Sequence, residues 1–354
     1  MLVTKQPVLR RFWYPVLPAA ALDDGPVPFT LLGEDIVLWR GADGVPAALE
    51  DRCCHRTARL SKGWVTDDGH LQCGYHGWTF ACSGKCVRIP QSRGPVRGGV
   101  RAFRCEQRYG YLWVCLGDPL AGIPEIEEAD DAGFRQIHEF CEPWQCAGLR
   151  VMENSFDNAH FSFVHRATFG IYENPLPADL TITPFDYGFR MHSVAPVRNP
   201  ELQKRLLGMD SERTERHMRS IWWLPFSRKL QITYPNGRVH SIVTCATPMD
   251  DRRSMIVQFA YRNDTEQEVP ASDVIAFDRQ VTAEDREILE STDYDVPIET
   301  GSGEEFHMAS DRPGIVMRQQ LAKLLRDHGE TEARRASDER IPAAPGVAMT
   351  GGQR

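Results

Sequence analysis

Four residues in two short boxes carry the clearest chemistry in the chain. Cys53 and His55 form the first box; after seventeen intervening residues, Cys73 and His76 form the second. Thiolates and imidazoles grouped in this way are metal ligands. Two centres compete for them. One is a tetrahedral Zn²⁺ site. The other is a [2Fe–2S] cluster with two Cys on one iron and two His on the other. Zinc boxes usually pair like ligands, Cys-x₂₋₄-Cys with His-x₃₋₅-His. Here each box supplies one Cys and one His, which suits a cluster whose irons must both be reached from each loop. Cys54 reads as a small inert neighbour. Cys82 and Cys86 are spaced like ligands, but the four residues above already complete a cluster.

A second group lies further along. Asp157, His160 and His165 fall within nine residues. At about 100° per residue, Asp157 and His160 share a helical face. His160 and His165 do not, so both reach one metal only if the helix ends or bulges between them. Two His with one carboxylate on one face of Fe(II) leave positions for O₂ and substrate. The carboxylate is expected from a helix after Pro270, whose apolar stripe runs Val274, Phe277, Val281, Asp285, Ile288 and Leu289. A buried carboxylate needs a partner, and Asp285 is expected to find it either in this metal or in an Arg. By the same count Glu284, Glu287 and Glu290 are expected to face solvent.

The chain that must position these groups has 354 residues and a formal net charge of -8. Its length allows two domains with sizeable cores. No dense Lys/Arg run suggests nucleic acid. No apolar stretch suggests a membrane span, and Met1–Pro15 lacks the pattern of a signal peptide. Ten Cys spread through a chain this long, several close to His, suggest reduced thiols and a cytoplasmic protein. Short β-type runs such as 36–39 and 111–115, punctuated by Gly and Pro, suggest an all-β domain over 1–118. The acidic segment 119–141 reads as a solvated linker, and 142–335 as a second domain. In it, 149–164 has helical character and 178–263 reads as antiparallel strands. The clearest hairpin runs 230–243 through Asn236-Gly237, and a second pairing runs on into 255–261. Helices are expected from 271 to about 291 and from 314 to 327. The tail from 336 reads as disordered. Trp222, Trp223, Phe226, Met255, Phe259 and Tyr261 are candidate pocket residues, although such side chains on strands are more often core. Gly301-Ser302-Gly303 follows a helix and is not a dinucleotide loop, so electrons are expected from a separate protein.

The boxes Cys53-x-His55-Arg56 and Cys73-x-Tyr75-His76-Gly77-Trp78 resemble the Rieske domain of Rieske non-haem iron oxygenases. The second box lacks the extra Cys of respiratory Rieske proteins. Asn154-x₂-Asp157-x₂-His160-x₄-His165 and the helix around Asp285 resemble the mononuclear-iron motif of the same family. The resemblance spans about residues 8 to 330, looks nearest to the monooxygenases and oxidative demethylases, and implies an α+β fold. That fold is an N-terminal Rieske domain followed by a helix-grip catalytic domain with an antiparallel sheet. It implies one [2Fe–2S] cluster on Cys53, His55, Cys73 and His76, and one Fe(II) on His160, His165 and Asp285, with O₂ as co-substrate. It also implies a homotrimer in which Asp157 bridges the cluster of one subunit to the iron of the next. The donor would be an NAD(P)H-dependent reductase or a ferredoxin. The expected reaction is hydroxylation or demethylation of a small molecule. Aromatic-ring cis-dihydroxylation, a Rieske electron carrier without oxygenase activity and a zinc-stabilised binding module are the alternatives.

Overall fold

The computed structural model describes residues 1–176 and 178–336. Strands β1 (Tyr14–Pro18), β2 (Val27–Leu31), β3 (Glu34–Arg40) and β4 (Pro46–Glu50) open the chain. Four short strands follow: β5 (Trp64–Val65), β6 (Leu71–Gln72), β7 (Thr79–Phe80) and β8 (Cys86–Arg88). Then come β9 (Ala102–Arg108) and β10 (Tyr111–Cys115). These strands make a six-stranded antiparallel sheet, order β1-β10-β9-β4-β3-β2, and a small four-stranded sheet, β5 to β8. The small sheet has its own core of Trp39, Leu49, Leu60, Leu71 and Phe80, into which Cys53 and Cys73 are also packed.

The chain then forms β11 (Arg135–Trp144), α1 (Gly148–Phe156), α2 (Phe161–Val164), β12 (Leu180–Phe185), β13 (Gly188–Arg198) and α3 (Glu201–Leu207). It finishes with β14 (Arg213–Trp223), β15 (Ser227–Thr233), β16 (Val239–Pro248), β17 (Ser254–Arg262), α4 (Ala271–Leu289) and α5 (Arg312–Asp327). The seven-stranded antiparallel sheet runs β11-β17-β16-β15-β14-β13-β12. Residues of β17 are buried throughout, because it lies between β11 and β16 with both faces covered. On β14 the pattern alternates, as a period of two requires when one face is wet. Helix α4 packs on β11, α1, α2 and α3 and grips one face of the sheet.

The expected all-β start, the hairpin at Asn236-Gly237 and the pairing of 255–261 are all present. Three readings need correction. The segment 178–263 is not all strand: Glu201–Leu207 is helical, entered after Pro200 and stopped by Gly208 at φ +64°. Residues 119–141 are not simply solvated. Strand β11 begins there at Arg135, and Glu128 is buried against Lys229 Nζ at 2.8 Å. On α4, Ile288 is 51% exposed and leaves the expected apolar stripe. The expected disordered tail lies outside the described residues beyond Ala336.

Candidate metal centres

The two Cys/His boxes fold into matching loops. The Cys53 carbonyl accepts from Thr57 N at 2.9 Å, and Cys53 N donates to Ala58 O at 2.8 Å. The Cys73 carbonyl likewise accepts from Gly77 N at 3.0 Å, and Cys73 N donates to Trp78 O at 2.8 Å. Each loop turns through a left-handed residue, Gly77 at φ +72° in one and Thr57 at φ +56° in the other. The turn holds each Cys inward and sends each His outward. Cys53 and Cys73 are buried, whereas His55 is exposed and His76 half-buried. The imidazole rings of His55 and His76 are 4.5 Å apart, and His55 stacks on Trp78 at 4.6 Å. Burial pushes the Cys53 thiol up to about 11, with neighbouring Cys73 adding to the rise. Two adjacent buried thiols with two imidazoles on the solvent side fit a centre with a sulfur end and a nitrogen end. Exposed Cys54 and Cys82 and buried Cys86 are free thiols.

The second group converges too. His160 Nε2 and His165 Nε2 lie 3.1 Å apart. Asp285 Oδ1 is 3.5 Å from the first and 3.3 Å from the second. That spacing matches neighbouring ligands at about 2.1 Å from one ion, whose donor atoms stand about 3 Å apart. The helix does break where the sequence required it. Helix α1 ends at Phe156, Asp157 is extended, and α2 restarts after His160. Asp157 makes the break: its Oδ1 accepts from Ala159 N at 2.7 Å and its Oδ2 from His160 N at 3.2 Å.

Carboxylates occupy the far nitrogens of both imidazoles. His160 Nδ1 is 3.1 Å from Asp157 Oδ2, and His165 Nδ1 is 2.8 Å from Glu284 Oε2. With Nδ1 so engaged, each Nε2 would be the atom to present a lone pair to a bound ion. Together with Asp285 Oδ1, these acceptors converge on a point that a cation satisfies. The electrostatics agree. Burial raises the Asp285 carboxyl, but the two imidazoles and Asn154, which donates to Oδ1 at 2.9 Å, bring it below the ordinary range. Burial lowers His165, yet Asp285 and Glu284 raise it above the ordinary value. Asp157 is lowered, because His160 and the backbone donors outweigh its burial. No Arg forms a salt bridge with Asp285 among the described residues.

The sequence reading placed Glu284 and Glu290 toward solvent, and the structure does not. Glu284 orients His165 and accepts from Thr168 Oγ1 at 2.8 Å, while Glu290 accepts from Gln145 N. Only Glu287 is exposed. A helical face is wide, and a residue next to the inward Asp285 still reaches a partner standing beside the helix. The aromatic candidates for the pocket were misplaced as well. The cavity over the triad is lined instead by Phe161, Phe169, Met191, Met218, Phe277 and Val281, among others. Trp222, Phe226, Met255, Phe259 and Tyr261 belong to the main core, and Trp223 lies outside the cavity. Phe259 faces the N-terminal sheet and stacks on Tyr111 at 5.1 Å. Missed altogether was a buried cluster of Glu139, His240 and Asp278. Asp278 lies seven residues before Asp285 on the same helix, so the stripe that found one acid could have found the other.

A small β-lobe with paired Cys/His loops, joined to a sheet gripped by a helix that brings a carboxylate to two His, offers two separate candidate metal sites, as in a redox protein built of a cluster domain and a catalytic domain. Comparison with known proteins agrees. Residues 12–104 match the Rieske [2Fe-2S] domain, and residues 144–327 match the vanillate O-demethylase oxygenase C-terminal domain. Methylxanthine N3-demethylase NdmB of Pseudomonas putida is 30% identical over 334 residues, covering 88% of each chain. Methylxanthine N1-demethylase NdmA of the same organism is 29% identical over 337 residues, covering 91% of each. A solved structure of P. putida NdmA with caffeine superposes with a TM-score of 0.78 at 28% identity, over 91% of this chain and 92% of that one. The chain belongs to the Rieske oxygenases whose catalytic domain is of the vanillate O-demethylase type. It is an oxidoreductase that incorporates O₂, with a small-molecule substrate and a separate electron donor. No described helix is long and apolar enough to cross a membrane.

Proposed function

We propose that the chain is a monooxygenase that hydroxylates or oxidatively demethylates a small organic molecule. The observation that carries this is the convergence of His160, His165 and Asp285 on one point within a cavity. Similarity to proteins named as N-demethylases supports demethylation. Cys53, His55, Cys73 and His76 would hold the [2Fe–2S] cluster, and His160, His165 and Asp285 one Fe(II). When bound, these centres supply one-electron steps and coordination positions for O₂ beside the substrate. The chain's own groups do the rest. Asp157 and Glu284 fix the tautomers and planes of the two imidazoles. Asp285 contributes a negative charge that favours a divalent cation. Phe169 packs against His165 at 4.6 Å and helps exclude water from that side. In a homotrimer Asp157 would also link the His76 side of one subunit's cluster to the iron of the next. Electrons would come from an NAD(P)H-dependent reductase or a ferredoxin, in the cytoplasm.

The test combines metal analysis with product analysis. Purified protein should hold about three irons and about two acid-labile sulfides per chain. With NADH, a reductase and ¹⁸O₂, a panel of N-methyl, O-methyl and ring compounds should give singly labelled alcohol or released formaldehyde. A doubly labelled cis-diol would replace monooxygenation by dihydroxylation. Stoichiometric zinc without sulfide would refute both.

A further inference from the structure

The cavity over the triad has a cationic wall that iron ligation leaves unused. Arg216 on β14 and Arg228 on β15 line the same cavity as His160, His165 and Asp285. Cross-strand pairing sets Trp222 opposite Arg228, and Arg216 lies an even number of residues from Trp222, so both guanidiniums rise from one face of the sheet. Arg216 is only 4% exposed. Its Nε and Nη2, and Arg228 Nε, are buried without a hydrogen-bond partner. Neither side chain forms a salt bridge among the described residues. Arg216 does lie over the Phe169 ring at 4.0 Å, and its Nε and Nη2 remain without a partner there. Its in-plane N–H fork, the part shaped for a carboxylate or sulfonate, stays free.

Burial brings Arg228 down to about 10, against Asp285, Glu139 and Asp278, which raise it, and among the described residues none of these acids forms a salt bridge with either guanidinium. Burial drives the Glu139 carboxyl well up, and the charge on Asp278 adds to the rise. Burial also opposes ionisation of Asp278, but His240 and Glu139 lower it below the ordinary value overall. His240 Nε2 stands 3.2 Å from Asp278 Oδ2. The neighbouring guanidiniums disfavour a second metal at Glu139, His240 and Asp278, although their ligand atoms lie within 4.8 Å of one another. The remaining lining includes Phe161, Met191, Met218, Leu230 and Ile232, which suits an apolar body.

We propose that this cavity selects a substrate with an apolar body and one anionic group, a carboxylate or a sulfonate, whose oxygens are held by Arg216 with Arg228. The proposal rests on reading the cavity as the substrate site of the oxygenase. Calorimetry on the iron-loaded wild-type protein tests it with matched pairs: 4-methoxybenzoate against 4-methoxybenzamide, and 4-methoxybenzenesulfonate against its sulfonamide. In at least one pair the acid should bind about tenfold or more tightly than its amide. The two arms distinguish carboxylate from sulfonate. Arg216→Gln should remove that preference by weakening the acid alone, with amide binding, iron content and visible spectrum unchanged. Amides that bind as tightly as their acids in both pairs would overturn the proposal. So would acid binding untouched by both Arg216→Gln and Arg228→Gln. Iron at the triad and O₂ uptake with no acid preference would sink this proposal alone. An acid preference in a protein without iron at the triad would sink the oxygenase reading instead.

Discussion

Asp285 and Glu284 are adjacent acids with different tasks, and substitution should separate them. Asp285→Ala removes a proposed ligand. Two imidazoles alone hold Fe(II) more weakly than two imidazoles with a carboxylate. Iron should fall from about three to about two per chain while the cluster absorbance is unchanged, since the cluster lies on other loops. Glu284→Gln keeps an acceptor of similar size but removes the charge from His165 Nδ1 and Thr168 Oγ1. Loss of such support typically costs 10–100-fold in metal affinity or activity. Glu287→Ala, which removes an exposed side chain, should change neither. Iron titration with visible spectroscopy checks all three. If Glu284→Gln binds iron as tightly as wild type, Glu284 does not support the metal.

Among the elements, the short helix α2 sets the geometry of the triad. Its position depends on the turn that follows, because Gly170 N donates to His165 O at 2.8 Å. A Cβ at Gly170 would stand 2.0 Å from Phe161 O and 2.9 Å from His165 O, both rigid backbone. Gly170→Ala must therefore push α2 or the turn aside. The expected cost is about 1–3 kcal/mol, as for other overpacked sites. Iron affinity should fall as well, because His165 moves with its carbonyl. A thermal melt and iron titration on one sample check this. An unchanged melting temperature together with unchanged iron affinity would show that the turn is not a constraint. Gly237 sits in the hairpin turn with open space around it, and its demand is its φ of +83° rather than room for a Cβ.

For the molecule as a whole, the N-terminal and catalytic sheets share one core. A single cluster joins Tyr14, Leu38 and Trp113 to Phe226, Phe259 and Met317. The segment between the sheets is fastened by an ion pair. Glu128 accepts from Lys229 Nζ at 2.8 Å, Gln231 Nε2 at 3.0 Å and Ser241 Oγ at 2.6 Å. Lys229→Met would leave a buried carboxylate without its counter-charge and should destabilise the fold by about 3–5 kcal/mol. The sign with pH follows from the depressed Glu128 pKa, where burial is outweighed by Lys229 and Ser241. The pair's contribution is complete above the ordinary Glu value of about 4.3 and is lost as pH falls through the lower folded value. Denaturant melts at neutral pH and at lower pH check this. Lys229→Met should lose stability at neutral pH and differ less from wild type once Glu128 is protonated.

The sequence by itself determined what depends on spacing along the chain. The two Cys/His boxes, the His pair with Asp157, the helix bearing Asp285 and the Asn236-Gly237 hairpin are local signals. Their physics lies in a handful of consecutive residues. Helix α3 was equally local, with Pro200 before it and Gly208 after it, and went unread. Tertiary structure alone decided which side chains meet across elements. Glu284 turned from an exposed acid into the partner of His165 because α2 stops beside α4. Glu128 was buried because the catalytic sheet offered Lys229 to a segment that reads as solvated. Arg216 and Arg228 came to share a cavity with the triad because pairing of β14 with β15 put them on one face. A one-residue change of register would send either guanidinium to the opposite face. No window of sequence contains the partner strand, so that fact belongs to the fold.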